Sequence, residues 1–254
     1  MIPKIIHYCW FGGKELPESA KKCIASWKKY CPDYKIIQWD ESNFDMKTNL
    51  FIEQAYANRK YAFVSDFARF QVLRDTGGIY LDTDVELIKP LDGLLSNKAF
   101  MGFEKIKDKV TGVAPGLIIG TEPQQKFIID MIDLYNHLEF CDANNERTAK
   151  SVVEYMTNYL VDKGCELTDK KQLVQDIVIY PSEYFCPKDY ESGEINLSEA
   201  TYSIHHYDSS WWDPKALYLR SLTEKYGYQK GLFLYRITRL FNLKLWWRII
   251  HEKQ

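Results

Sequence analysis

This chain predicts an α/β fold with a mixed central sheet, inserted helices and an amphipathic helical tail, on three observations. Up to Pro90, short apolar runs alternate with stretches of helical period; beyond it the strand-like runs are less regular; and residues 214–254 are basic and helical in spacing. No linker, low-complexity segment or internal repeat interrupts 1–213, which reads as one α/β unit with an inserted helical part.

Ile2–Tyr8 reads as a short buried strand, followed by Trp10 and a Gly12-Gly13 turn. Pro17–Tyr30 has helical spacing and Pro32 closes it, after which Lys35–Trp39 reads as a second strand. Leu50–Arg59 and Ala62–Asp75 are helical, with Gly77 suited to the left-handed position just past a helix, and Ile79–Leu81 is the third strand. After Pro90, Ala99–Glu104, Leu117–Gly120, Ile177–Tyr180 and Tyr202–His206 are strand-like, while Pro123–Leu138 and Arg147–Lys163 are helical. Two amphipathic helices make up the tail, 214–254.

The 254 residues are 46% hydrophobic and 15% aromatic, enough apolar material for a sizeable ordered core. A net charge of -2 gives no reason to expect nucleic acid as a partner. That charge is unevenly spread: 214–254 holds nine Lys/Arg against two Asp/Glu, so the tail is +7 and the body -9. The six cysteines have no CxxC or other metal-ligand spacing, and MIPKIIHYCWFGG has neither the apolar stretch nor the small-residue site of a secretory signal. The expectation is a cytoplasmic protein with reduced, mostly buried thiols. No apolar run approaches the ~20 residues that cross a bilayer.

The stretch Gly77–Val85, GGIYLDTDV, sets Asp82 and Asp84 one residue apart behind an apolar run. An ionised carboxylate costs several kcal/mol to bury without a partner or a metal, so a positive group belongs beside them. At the carboxyl end of a central strand both would sit at the mouth of the sheet, where α/β folds bind ligands. Residues at i and i+2 of an extended segment project to one side, so both can reach one hard cation and leave positions open for phosphate oxygens. Upstream, Asp66 and Arg69 are three apart on a helix and share a face among Phe63, Phe67, Phe70 and Leu73.

Four motifs in order, Ile6–Gly13 (IHYCWFGG), Ser65-Asp66-x-x-Arg69, Gly77-Gly78-Ile79-Tyr80-x-Asp82-x-Asp84 and His205-His206-x-x-x-Ser210-Trp211, resemble the DXD sugar-binding glycosyltransferases, a group that includes yeast-type α-mannosyltransferases and bacterial capsule enzymes. The resemblance spans 1–213 and implies a GT-A fold and retaining transfer of a hexose from a nucleotide sugar with Mn²⁺ or Mg²⁺. Carried over, it makes Asp84 a direct metal ligand and gives Asp82 to the metal or the ribose. Asp66 and Arg69, with Ser65 beside them, hold the donor sugar. Trp10 stacks on the nucleobase or is a core tryptophan; Tyr80 lies near the ribose or in the core. His206 is the expected third metal ligand, with His205 packed or touching phosphate. Ser210 and Trp211 donate to the β-phosphate, or Trp211 is core. UDP is the expected nucleotide. No nucleophile or general base is assigned, and Ala114-Pro115-Gly116 departs from the Asn that relatives often carry there.

In the tail, Arg236, Arg239, Lys244 and Arg248 are interleaved with Leu, Phe, Ile and Trp246-Trp247, the composition of a helix lying in a membrane interface. Either this face docks on an anionic inner membrane surface, where a lipid-linked acceptor is extended, or it packs on protein. The expected role is transfer to a saccharide or glycolipid acceptor in surface polysaccharide synthesis. The alternatives are a nucleotide-sugar-binding protein without turnover and a toxin-like protein glycosyltransferase.

Overall fold

The computed structural model describes residues 1–106, 109–144, 146–190, 192–208 and 214–241. The elements in order are β1 (Ile5–Cys9), α1 (Glu18–Tyr30), β2 (Lys35–Trp39), α2 (Leu50–Ala57), α3 (Tyr61–Thr76), β3 (Gly78–Tyr80), β4 (Val85–Leu87), β5 (Ala99–Ile106), β6 (Lys109–Val113) and β7 (Ile119–Thr121). They continue with α4 (Lys126–Asn136), α5 (Val152–Val161), β8 (Gln172–Val174), β9 (Ile177–Tyr180), β10 (Ser203–His205), α6 (Pro214–Tyr226) and α7 (Tyr228–Phe241).

The main sheet has the order β2-β1-β3-β7-β5-β9-β8, with β6 paired to β5. β1, β2 and β3 are parallel; β7 runs antiparallel to both β3 and β5; β9 runs parallel to β5 and β8 antiparallel to β9. Hence β1, β2, β3, β5 and β9 all end on one edge of the sheet. β10 leaves the main sheet and pairs antiparallel with β4, His205 facing Val85.

The core lies between the sheet and α2–α5, and Phe51, Phe67, Phe70, Tyr135 and Met156 are buried in it. α2 starts at a side-chain cap, Asn49 Oδ1 accepting from the Ile52 N–H at 3.0 Å, and α5 starts at Ser151, whose Oγ accepts from the Glu154 N–H at 3.2 Å. Gly77 ends α3 at φ 61°, a left-handed turn into β3; a Cβ there would also overlap the Thr121 carbonyl and Pro123. All six cysteines are buried and none is in a disulfide. The main sheet is mixed, not parallel throughout, and the Tyr202–His206 strand belongs to a separate two-stranded ribbon.

The chain divides into two compact units, Met1–Asp189 with Glu194–Tyr207, and Tyr190–Gly193 with Asp208–Gln254. In the second, α6 and α7 form a helical hairpin turned at Gly227, φ 79°. A Cβ on Gly231 would overlap the Thr223 backbone, so this glycine sets how closely the two helices cross. Among the described residues no helix is long and apolar enough to cross a membrane. Lys244, Trp246, Trp247 and Arg248 lie outside the described residues.

Candidate active site

Asp82 and Asp84 follow β3, which lies between β1 and β7 in the middle of the main sheet. Their segment is pinned on all sides by backbone bonds. The Leu81 N–H donates to the His7 carbonyl (3.1 Å), the Asp82 N–H to Gly116 (3.2 Å), the Val85 N–H to Asp82 (3.1 Å) and the His206 N–H to Asp84 (2.9 Å). From α1, the Trp27 indole N–H reaches the Val85 carbonyl at 2.7 Å. His7 braces the strand from behind: its Nε2 faces the Gly77 carbonyl at 3.0 Å and its Nδ1 faces the Trp39 indole N–H at 3.1 Å. These two contacts fix the neutral tautomer with its proton on Nε2.

His205 Nε2 lies 3.2 Å from Asp84 Oδ1. One ligand atom from each of Asp82, Asp84 and His205 falls within 4.8 Å of the others, and no other group of three such side chains is so gathered among the described residues. Of the two histidines, the structure gathers His205 with the carboxylates and not His206, the expected ligand. His206, whose N–H is engaged with the Asp84 carbonyl, turns its ring to Glu86, Nε2 to Oε2 2.8 Å. The two rings leave the β10 end on opposite sides, the His205 ring reaching Asp84 and the His206 ring reaching Glu86. Burial opposes charge on His205, but Asp84 and Asp82 hold its pKa above the ordinary value. Its buried Nδ1 has no hydrogen-bond partner among the described residues.

Arg69, buried on α3, faces Asp66 at 2.7 Å and Asp82 at 3.4 Å. It thus supplies the positive group that the sequence demanded. The Tyr80 ring lies 4.7 Å from the guanidinium carbon, and the Tyr80 hydroxyl donates to Asp82 Oδ1 at 3.0 Å. One guanidinium between two carboxylates leaves the inner one short of compensation: burial pushes Asp66 up to about 7, against the pull of Arg69. Asp82 is raised too, mainly by burial and with Asp84 adding to it, while Arg69 pulls it down. Arg69 Nη1 is buried and has no hydrogen-bond partner among the described residues, and it lies 3.6 Å from the point that a Cβ on Gly116 would occupy. That Cβ would overlap Asp82 Oδ2, so only glycine leaves the space between Arg69 and Asp82 open.

Tyr80 is buried, which gives it a core place from which it positions Asp82. Ser65 donates its hydroxyl to the Tyr61 carbonyl at 3.1 Å, and its own carbonyl accepts from Arg69 Nε at the same distance. Trp10 is half-buried, its indole N–H donating to the Lys14 carbonyl at 2.6 Å, so it stands at the carboxyl edge of the sheet and not in the core. Ser210 and Trp211 lie outside the described residues. Sequence reading missed Gly116 and Glu86, and it missed Tyr207, whose ring packs 4.2 Å from His205. The one signal for Gly116 was the unexpected Ala-Pro-Gly itself.

Two oxygen donors and an imidazole at the carboxyl edge of the sheet make a donor set that fits a divalent ion. The orphaned Nδ1 of His205 and Nη1 of Arg69 are groups that a bound ligand could complete.

Comparison with known proteins agrees with this geometry. The family described as "Glycosyltransferase sugar-binding region containing DXD motif" matches residues 17–101. An uncharacterized glycosyltransferase of Acanthamoeba polyphaga mimivirus is 30% identical over 222 residues, covering 84% of this chain and 85% of that protein. A mannosyl phosphorylinositol ceramide synthase of Saccharomyces cerevisiae is 32% identical over 149 residues; the match covers 54% of this chain and 36% of the yeast protein. Among solved structures, the PaToxG glycosyltransferase is similar with a TM-score of 0.50 at 24% identity, covering 64% of this chain and 70% of that one. A glycosyltransferase involved in glycosylation of the PBCV-1 major capsid has a TM-score of 0.50 at 14% identity over 82% of this chain and 95% of that one. The fold is GT-A, and with its Asp82-x-Asp84 set at the carboxyl end of a central strand this chain belongs to the DXD-motif glycosyltransferases.

Proposed function

We propose that this glycosyltransferase is a metal-dependent, retaining hexosyltransferase that moves a sugar from a nucleotide sugar, UDP-linked, to a saccharide or lipid-linked acceptor in surface glycan synthesis. The observation that carries it is the gathering of Asp82, Asp84 and His205 within 4.8 Å beside a buried arginine. Asp84 and His205 would hold Mn²⁺ or Mg²⁺, with Asp82 shared between the ion and Arg69. The ion would neutralise the diphosphate as the glycosidic bond breaks. Arg69 Nη1 and the Asp66 carboxyl would orient the donor sugar in the space that Gly116 leaves open. Trp10 would offer its ring to the base.

In retaining transfer without a protein nucleophile, the acceptor oxygen bonds to the anomeric carbon on the face that the phosphate leaves, and the departing phosphate oxygen takes the acceptor's proton. The buried Tyr80 hydroxyl and the Gly116 carbonyl would keep Asp82 in place through that step.

The test is release of free nucleotide from a panel of UDP- and GDP-sugars, with Mn²⁺ and with EDTA. Release from one donor only when metal is present is the expected result, and the anomeric configuration of the transferred sugar, read by proton NMR, checks retention. Donor binding without release, in the presence of acceptor extracts, would favour a binding protein over an enzyme.

A further inference from the structure

His205 brings its Nε2 to Asp84, but an imidazole can swing about its ring torsion, whose wells are broad. In most histidine metal sites the second ring nitrogen donates to a carboxylate, a carbonyl or water, and that bond fixes the ring. The Nδ1 of His205 is buried and has no such partner among the described residues. The ring must be held by something else.

Two residues on, Tyr207 packs its ring edge-on against the imidazole, with centroids 4.2 Å apart and 71° between the planes. Tyr207 is buried and its hydroxyl is tied twice: it lies 2.9 Å from Cys186 Sγ, and it is hydrogen-bonded to the Glu104 carboxylate. A hydroxyl has one proton to give and lone pairs to receive, so both bonds can be made at once. The anchors are themselves fixed. Glu104 on β5 accepts from the Thr111 hydroxyl of β6 at 3.0 Å, and the Cys186 N–H donates to the Ser182 carbonyl at 2.7 Å.

The backbone carries a second, independent sign. Tyr207 has φ 58°, a left-handed conformation that a bulky side chain adopts only where its surroundings hold it. His206, just before it, is held at both of its backbone groups: its N–H donates to the Asp84 carbonyl at 2.9 Å, and its carbonyl accepts from Lys188 Nζ at 2.9 Å. The chain therefore turns at Tyr207 in a conformation costly for tyrosine, and the ring comes to lie on His205.

We propose that Tyr207 is a positioning residue for the metal site: its ring, tied down by Glu104 and Cys186, keeps His205 Nε2 facing Asp84, in place of the hydrogen bond that Nδ1 lacks. The inference rests on the reading of His205 as a metal ligand.

The test is Mn²⁺ titration of the full chain, read by the electron paramagnetic resonance of the free ion, with each protein kept well below its melting temperature. The proteins are the parent, Tyr207→Leu, Tyr207→Phe, His205→Ala and the His205→Ala/Tyr207→Leu double variant. Tyr207→Leu removes the ring but keeps apolar bulk, and it should weaken Mn²⁺ binding ~10-fold or more. Tyr207→Phe keeps the ring but frees it from Glu104 and Cys186, so its loss should be smaller, ~3–10-fold. In the His205→Ala background, Tyr207→Leu should cost no more than ~2-fold further, because the tyrosine acts through the imidazole. A tyrosine that only filled the core would lower the melting temperature and leave the Mn²⁺ affinity of the folded chain unchanged. Parent-like affinity in Tyr207→Phe or in a folded Tyr207→Leu overturns the proposal, as does an equal loss with and without His205. If Tyr207→Leu does not fold, Tyr207→Phe decides alone. Parent-like affinity in His205→Ala removes the ligand reading, and the proposal with it.

Discussion

His205 Nε2 stands 3.2 Å from Asp84 Oδ1, while its neighbour His206 stands 2.8 Å from Glu86. The two adjacent imidazoles therefore have different tasks. Burial opposes a proton on His205 while Asp84 and Asp82 favour one, and a divalent ion at the cluster would compete with that proton for the imidazole.

Replacement of the two histidines should separate these tasks. His205→Ala should weaken Mn²⁺ binding by ~10–100-fold, the range found for groups that hold or orient a metal site. His206→Ala, which removes a partly exposed contact to Glu86, should change it by less than about 5-fold, because exposed pairs contribute ~0–1 kcal/mol. Titration of Mn²⁺ against the two purified variants reads the difference directly. A larger loss in the His206 variant would return the ligand role to that residue.

Gly116 should be as sensitive as a ligand without being one. A methyl group there would overlap Asp82 Oδ2, displacing the carboxylate from Tyr80 and from the cluster. Gly116→Ala should lower metal-dependent nucleotide release ~10–100-fold with little change in melting temperature. An active Gly116→Ala enzyme would mean that Asp82 can move without consequence.

Local periodicity made most of the fold legible. β1, α1, β2, α3 and β3 lie within a residue or two of their expected bounds, apart from the early start of β1, because each carries its own hydrophobic pattern and stop signal. β4, β6 and β8 were not legible. β4 exists through pairing with the distant β10, which no local window contains, while β6 and β8, five and three residues long, are arms of hairpins with their neighbours β5 and β9 and are too short to carry a hydrophobic period of their own. Asp66, Arg69, Asp82 and Asp84 could be grouped from spacing and family motif. The choice between His205 and His206 could not, because it depends on how the turn that carries Asp82 and Asp84 lies against the end of β10, a long-range contact with no local signal. Gly116 is closed to sequence reading for the same kind of reason: only the fold brings it onto Asp82.

Arg69 joins two carboxylates, so removing it should be worse than removing either of them. Arg69→Ala leaves Asp66 buried without its partner and should destabilise the fold by ~3–5 kcal/mol. Adding Asp66→Asn to that variant should recover part of the loss, since no charge is then stranded. Urea unfolding of the single and double variants measures the recovery, and strict additivity would show that the 2.7 Å contact contributes no coupling.

Trp10 is the candidate base platform. Trp10→Ala should weaken donor binding by ~1–3 kcal/mol, the range for a lost base–aromatic stack. Calorimetric titration with the nucleoside diphosphate in Mn²⁺ tests it. Unchanged affinity with lowered stability would reduce Trp10 to closing the loop through its 2.6 Å bond to the Lys14 carbonyl.

His7 should make stability depend on pH. Burial, with a smaller push from Lys35, lowers its pKa from the ordinary 6.5 to about 4, against the pull of the Gly77 carbonyl. The folded chain therefore holds the ring neutral where the unfolded chain would protonate it. The stabilising effect is complete above pH ~6.5 and is lost as pH falls toward about 4, by roughly 3 kcal/mol in all. His7→Gln keeps an amide donor and acceptor but does not titrate, so the stability difference between parent and variant should narrow as pH drops through this window. Chemical unfolding of both proteins at pH 7.5 and at pH 5 isolates the His7 term, because the other titrating groups are common to the two. An unchanged difference at the two pH values would mean that the buried ring already shares its proton with the unfolded state on equal terms, and that the contacts to Gly77 and Trp39 do not depend on its neutrality.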